Sequence, residues 1–220
     1  MSCSECGAPL SPSLRACRYC GCPLRLEPGH VSSRLAMGFG SDGHGYELVD
    51  HSAHGLHTTW IEPGRAVFAR TPPNSALPDA IFPVAFVPGS YVDVEVGVTI
   101  RFEPGAPPDC AAGFWLRSTD DSALTVMLFP GGHVSAGIRA DARFSHKLAS
   151  ATRPGGAGGE AVLQARCVKD RVDVAIDGRP LISATDPDWG GVSGYIDLRA
   201  QVGETEAGVV LASPWARLVG

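Results

Sequence analysis

Residues 91 to 102, YVDVEVGVTIRF, alternate between apolar and polar positions. Val92, Val94, Val96, Val98, Ile100 and Phe102 fall on one face, with Tyr91, Asp93, Glu95, Thr99 and Arg101 on the other. A period of two sustained over such a length is that of a β-strand with one face in a core. Shorter segments repeat it: HTTWIEP, RAVFAR, GFWLRS, ALTVMLF, HVSAGIRA, RFSHKLA, AVLQARCVK, RVDVAID, RPLISAT, VSGYIDLRA and VVLASPWARLV. Turn formers separate them in EPGAPPD, STDDS, FPGGH and RPGGAGGE, and the Asp177–Gly178 pair is a two-residue hairpin signal. No stretch has a helical period with caps. The pattern therefore predicts an all-β fold of two packed antiparallel sheets. AIFPVAFVPGSYV, the longest apolar stretch, is broken by two prolines and a glycine. It is far short of the ~20 residues of a membrane helix, so no membrane partner is expected.

The N-terminus follows a different rule. CSECGAPL at residues 3 to 10 and CRYCGCPL at 17 to 24 write C-x-x-C-G-x-P-L twice. A C-x-x-C turn sets two thiolates on one side of a tight loop, and Gly7 and Gly21 give the backbone freedom to close it. Two such knuckles complete a tetrahedral site, which predicts one structural zinc ion on Cys3, Cys6, Cys17 and Cys20. Residues 1 to 26 resemble the short zinc ribbon family of bacterial N-termini. A redox C-x-x-C pair, the alternative, expects a βαβ context that is absent. Cys22 reads as an adjacent thiol rather than a fifth ligand. In residues 1 to 30 the basic residues are Arg15, Arg18 and Arg25, offset by Glu5 and Glu27, and Tyr19 is the one aromatic, a thin surface for gripping phosphates. Docking or capping is the expected role of the ribbon. Residues 27 to 44, rich in glycine and serine, read as a linker.

Composition narrows the partners. Hydrophobic residues are 44% of the 220-residue chain and charged ones 19%, enough to fold around one main core of residues 45 to 220. A formal net charge of -5 gives no basic footprint for nucleic acid. The first residues lack the charged and apolar regions of a secretory signal, which predicts a cytoplasmic protein. In a reducing compartment Cys110 and Cys167 read as buried small hydrophobes, with a disulfide the alternative.

The runs DVEVGVTIRF, GFWLRSTDDSALTVMLFPGGHVSAGIR and LQARCVKDRVDVAIDGRPLISATDPDWGGVSGYIDLRA resemble the concanavalin A-like jelly roll. The resemblance is to its laminin G-like branch, which includes bacterial 3-keto-disaccharide hydrolase domains, and it covers residues 45 to 220. It implies a concave sheet whose groove binds glycans through aromatic and carboxylate side chains. Strand parity offers Tyr91, Asp93 and Glu95, Trp115 and Arg117, and Tyr195, Asp197 and Arg199 as groove candidates, against the plainer reading of solvated outer faces. Trp115 or Tyr195 would supply a flat platform and Arg117 a directional donor. Glycosidases of this class carry E-x-D-x-x-E or E-x-D-x-E on one strand, but Tyr91 stands here where the first glutamate would be.

His51, His54 and His57 in HSAHGLH, with His44 nearby, read as a surface cluster, since spacing by three alternates faces along a strand. RPGGAGGE lacks the lysine and helix of a phosphate cradle. The expectation is therefore a non-catalytic binding or scaffold protein that contacts a protein partner or larger assembly. The alternative is a carbohydrate-binding module or glycan-processing hydrolase working on the concave face.

Overall fold

Fourteen antiparallel strands build the sandwich in the computed structural model, which describes residues 47–48, 57–62, 66–70, 82–119, 121–140, 143–154, 159–201 and 208–219. In chain order they are β1 (Glu47–Leu48), β2 (His57–Glu62), β3 (Ala66–Arg70), β4 (Phe82–Tyr91), β5 (Val94–Phe102), β6 (Ala111–Ser118) and β7 (Ser122–Leu128). β8 (His133–Ala140), β9 (Arg143–Thr152), β10 (Glu160–Val168), β11 (Arg171–Ile176), β12 (Arg179–Thr185), β13 (Gly194–Gln201) and β14 (Val209–Leu218) complete them. A 3₁₀ turn at Pro187–Trp189 is the one short helical element among the described residues. No described helix is long and apolar enough to cross a membrane.

The strands form two sheets of seven. The first runs β1-β4-β13-β6-β7-β8-β9 and the second β12-β11-β10-β5-β14-β3-β2. The alternation read from sequence sets which side chains meet between them. Val94, Val96, Val98 and Ile100 of β5 are at most 1% exposed and share one core with Phe114, Leu116, Val126, Ala136, Leu163, Val174, Ile196 and Leu198. Fully burying such a side chain contributes roughly 1.5 to 3 kcal/mol.

Two local features depart from the alternation. Tyr91 and Asp93 do not belong to the strand of Glu95, because β4 ends at Tyr91, a bend at Val92 and Asp93 carries the chain from the first sheet to the second, and β5 begins at Val94. Tyr91 is accordingly a core residue, 3% exposed, not an outward one. The Pro-containing run at 82 to 91, read from sequence only as an apolar stretch, is β4. It pairs with β13 through register irregularities on one side and with the two-residue β1 on the other, a setting near a sheet edge that accommodates proline.

At β11–β12 the Asp177–Gly178 expectation is met. Both residues have positive φ, 52° and 75°, as a type I′ hairpin turn needs. Cys3, Cys6, Cys17, Cys20, Cys22, His44, His51, His54 and the linker lie outside the described residues. His57 opens β2.

Candidate functional site on the outer face of the first sheet

Arg117 and Trp115 lie two apart on β6, and alternation alone would point both outward. A bulge separates them. Tyr195 pairs with Ser118 while Ile196 pairs with Leu116, so Arg117 is the extra residue of β6 and adopts a positive φ of 50°. Its neighbour across the bulge is Gly194, where any Cβ would overlap the backbone of Arg117 and Ser118. Turned inward, Arg117 is fully buried. Its Nε donates to the Val92 carbonyl at 2.7 Å and its Nη1 to the Trp189 carbonyl at 2.7 Å. Its Nη2 lies 3.4 Å from Asp93 Oδ1, which also accepts from the Lys169 backbone N–H at 2.7 Å. Arg117 and Asp93 thus form a clamp that ties the β4–β5 bend to the 3₁₀ turn and to the β10–β11 hairpin. Arg117 is thereby taken up as a donor and Asp93 Oδ1 as an acceptor inside the clamp.

Glu95 stands on the other sheet. Its Oε2 accepts from Arg217 Nε at 3.0 Å and Nη2 at 2.6 Å, a cross-strand pair between β5 and β14. Tyr91, Asp93 and Glu95 therefore do not join the remaining candidates.

Trp115, Tyr195, Asp197 and Arg199 do come together, on the outer face of the first sheet. Asp197, Trp115, Thr125 and Gly137 are register partners in one row across β13, β6, β7 and β8. The residues flanking that row along each strand, among them Phe114, Leu116, Val126, Ala136 and Leu198, fill the core and so fix its direction as outward. Arg199 lies opposite Gly113, which has no side chain. The Arg199 guanidinium reaches diagonally over the Trp115 ring, 3.8 Å from its centroid, while Nη2 donates to Asp197 Oδ2 at 2.7 Å. Arg139 of β8 extends across β7 to place its guanidinium carbon 4.8 Å from the same centroid. Thr125 Oγ1 donates to the Gly137 carbonyl at 3.0 Å.

The face is dry for an outer one. Thr125 is 6% and Asp197 7% exposed, and Met127 beside them is buried. Burial lowers the Arg199 pKa from its ordinary value, against the opposing pull of Asp197. Burial, then the nearby charge of Arg199, lowers that of Arg139. Trp115 Nε1 and Arg199 Nε are buried N–H donors with no acceptor. Because Arg199 covers the Trp115 ring, the exposed platform is Tyr195, 49% accessible and two residues along β13 from Asp197.

Arg139 and Thr125 were not among the sequence candidates. Their signal was present, since Val134, Ala136 and Ile138 are core and leave Ser135, Gly137 and Arg139 outward by parity. Only the register shows that Arg139 reaches Trp115. Among the described residues no group of three His, Cys, Asp or Glu side chains could hold a metal ion.

No protein-family model and no curated protein matches the chain. Solved structures do. A carbohydrate-binding module, CBM66 from Bacillus subtilis, is 18% identical with a TM-score of 0.55, over 74% of this chain and 95% of that one. The β-glucanase of Bacillus licheniformis is 8% identical with a TM-score of 0.58, over 89% and 95%. A Bacillus subtilis protein with a galectin-like fold is 13% identical with a TM-score of 0.54, over 79% and 98%. These likenesses correct the expectation of a protein-docking scaffold, which had rested on an expected cytoplasmic location and on no residue of the β-domain. The architectures it matches include a carbohydrate-binding module and a glucanase. The chain is a jelly-roll β-sandwich of the galectin-like and concanavalin-like kind.

Proposed function

We propose that the β-sandwich binds carbohydrate on the outer face of its first sheet and does so without hydrolysis. The observation that carries this reading is the outward cluster of Trp115, Arg199, Asp197 and Arg139 beside the exposed Tyr195 ring. Sugar rings present a C–H face that packs on an aromatic ring, and hydroxyls that pair with directional polar groups. Tyr195 offers the first and the Arg–Asp pair the second, about 7 Å away along the same strand. Solved structures of the same architecture, a carbohydrate-binding module and a β-glucanase, support the assignment.

The non-catalytic part follows from the carboxylates. Glycoside hydrolysis uses two, about 5 to 5.5 Å apart for retention or about 6.5 to 9.5 Å for inversion. Among the described outward positions of β13, β6, β7 and β8, Asp197 is the one carboxylate, and Arg199 already engages it. Asp93 is held in the clamp and Glu95 lies on the second sheet.

Titration calorimetry with the hits of a glycan array tests the reading. Tyr195→Ala should weaken binding at least about tenfold, the loss of one stacked aromatic, with an unchanged melting curve. Unaltered binding in both Tyr195→Ala and Asp197→Asn would place the ligand elsewhere. Release of reducing sugar that disappears in Asp197→Asn would establish a hydrolase instead. We propose separately that Cys3, Cys6, Cys17 and Cys20 hold one structural zinc ion, a reading supported by the repeated C-x-x-C-G-x-P-L motif.

A further inference from the structure

We infer that the sandwich carries a second saccharide site, on the outer face of its second sheet, built on Trp215 and suited to a neutral pyranose whose hydroxyls are equatorial. Strict alternation would bury Trp215, because Val209 and Leu211 of the same strand face the core. A bulge turns it outward instead. Ala212 pairs with Thr99 and Trp215 with Gly97, so β14 holds one extra residue there, with Ser213 at a φ of 47° and Pro214 buried. That φ is uncommon for a residue other than glycine, and such backbone outliers concentrate at ligand sites. The Nε1–Cε2–Cζ2 side of the indole packs on Gly97, where any Cβ would overlap those three atoms. The rest of the ring is within reach. Trp215 is half-buried and, unlike those of Trp115 and Trp189, its indole N–H is not sealed from solvent.

The groups beside the ring select the ligand. Gln164 is the register partner of Gly97 on β10 and, among the described residues, its side chain makes no hydrogen bond. Glu95 lies two residues from Gly97 along β5 and makes both of its contacts with Arg217 through Oε2, which leaves Oε1 to accept. Arg217 is held by that pair 5.8 Å from the Trp215 centroid, whereas Arg199 closes to 3.8 Å over Trp115. An amide that both donates and accepts, next to a carboxylate oxygen that accepts, matches neighbouring hydroxyls, each of which does both. A uronate or sulfate would instead meet the charge of Glu95. The C–H face of a sugar ring packs on the indole. Gln164 and Glu95 stand to the side of it, about 5 Å away across strands and about 7 Å along one. Equatorial hydroxyls point that way, in the plane of the sugar, while an axial one projects from the face that has to pack. The two sites would lie on opposite sides of the sandwich, so one chain would join two glycan strands.

Calorimetry on the full chain tests this with cellohexaose, laminarihexaose and xylohexaose, beside a galactohexaose, in which one ring substituent is axial. In Tyr195→Ala, which disables the first-sheet face, one of the three all-equatorial probes should still bind, at least about fivefold more tightly than the galactohexaose. Adding Trp215→Ala should weaken that binding at least about tenfold. Adding Gln164→Ala should weaken it about threefold to tenfold, the loss of one hydrogen bond, with an unchanged melting curve. Binding abolished by Tyr195→Ala, and unchanged by Trp215→Ala or Gln164→Ala alone, would overturn the inference and leave the first-sheet reading standing. Binding insensitive to Tyr195→Ala and lost with Trp215→Ala and Gln164→Ala would support the inference and overturn that reading. Failure of every probe to bind Tyr195→Ala protein would overturn the inference, and galactohexaose bound as tightly as the others would overturn its equatorial assignment. Gln164→Ala decides the question even if Trp215→Ala does not fold.

Discussion

Two buried residues illustrate how far a single side chain governs this fold. Arg117 is fully buried and serves the Val92 and Trp189 carbonyls and Asp93 together. Arg117→Leu keeps apolar bulk but leaves those acceptors without their donor and a carboxylate without its cation. It should cost roughly 3 kcal/mol, read as a lower urea midpoint, while the folded fraction still binds saccharide. Cys167 makes a different point. Burial pushes its thiol up to about 11, against a smaller lowering from the Arg117 charge. The folded thiol therefore keeps its proton where the unfolded one, titrating near 9, loses it. Stability from this group is complete below about pH 9 and is lost as pH rises through about 11, by roughly 3 kcal/mol in all. Denaturant midpoints measured from pH 8 to 11 should show a decline that is shallower in Cys167→Ala.

At the scale of elements, turns and one bulge decide which faces meet. The β11–β12 hairpin needs positive φ at Asp177 and Gly178, and Asp177 secures it further: Oδ1 accepts from the Val162 N–H at 3.0 Å, and Oδ2 lies 2.7 Å from Arg153 Nη2. Gly178→Ala meets no neighbouring atom within 4 Å, so its cost is conformational, roughly 1 kcal/mol. Gly131, in the β7–β8 turn, also opens onto free space but is not among the glycines of positive φ. Gly131→Ala should stay within about 0.5 kcal/mol of the parent. Equal losses in the two variants, measured by urea unfolding, would remove the conformational explanation. The β6 bulge has the larger consequence: with Gly194 opposite, it sends Arg117 inward and leaves Trp115 outward.

For the whole molecule, the two seven-stranded sheets bury an apolar core of their own between them. A segment as short as residues 1 to 26 cannot offset its chain entropy by apolar burial, whereas zinc supplies roughly 10 to 16 kcal/mol in finger peptides. Elemental analysis should therefore find one equivalent of zinc. Removing it by chelation should leave the far-ultraviolet β-sheet signal and its cooperative melt in place. Collapse of that signal on chelation would mean that ribbon and sandwich fold as one unit.

Alternation along the chain was enough to define the all-β class and the core face of β5, and turn chemistry the Asp177–Gly178 hairpin, because the two-residue period of a strand and the φ of a turn are local properties. Trp115, Tyr195 and Asp197 were legible as outward residues for the same reason. Local rules failed where pairing between distant strands intervened. The bend at Val92 and Asp93 reversed the reading of Tyr91, and the bulge opposite Gly194 reversed that of Arg117. Proline masked β4 as a strand. Which outward residues share a sheet is a matter of register between distant segments, 122 residues apart for Glu95 and Arg217, and side-chain spacing along one strand carries no information about it. Only the tertiary structure could put Glu95 on one sheet and Asp197 on the other, and draw Arg139 and Arg199 together over Trp115.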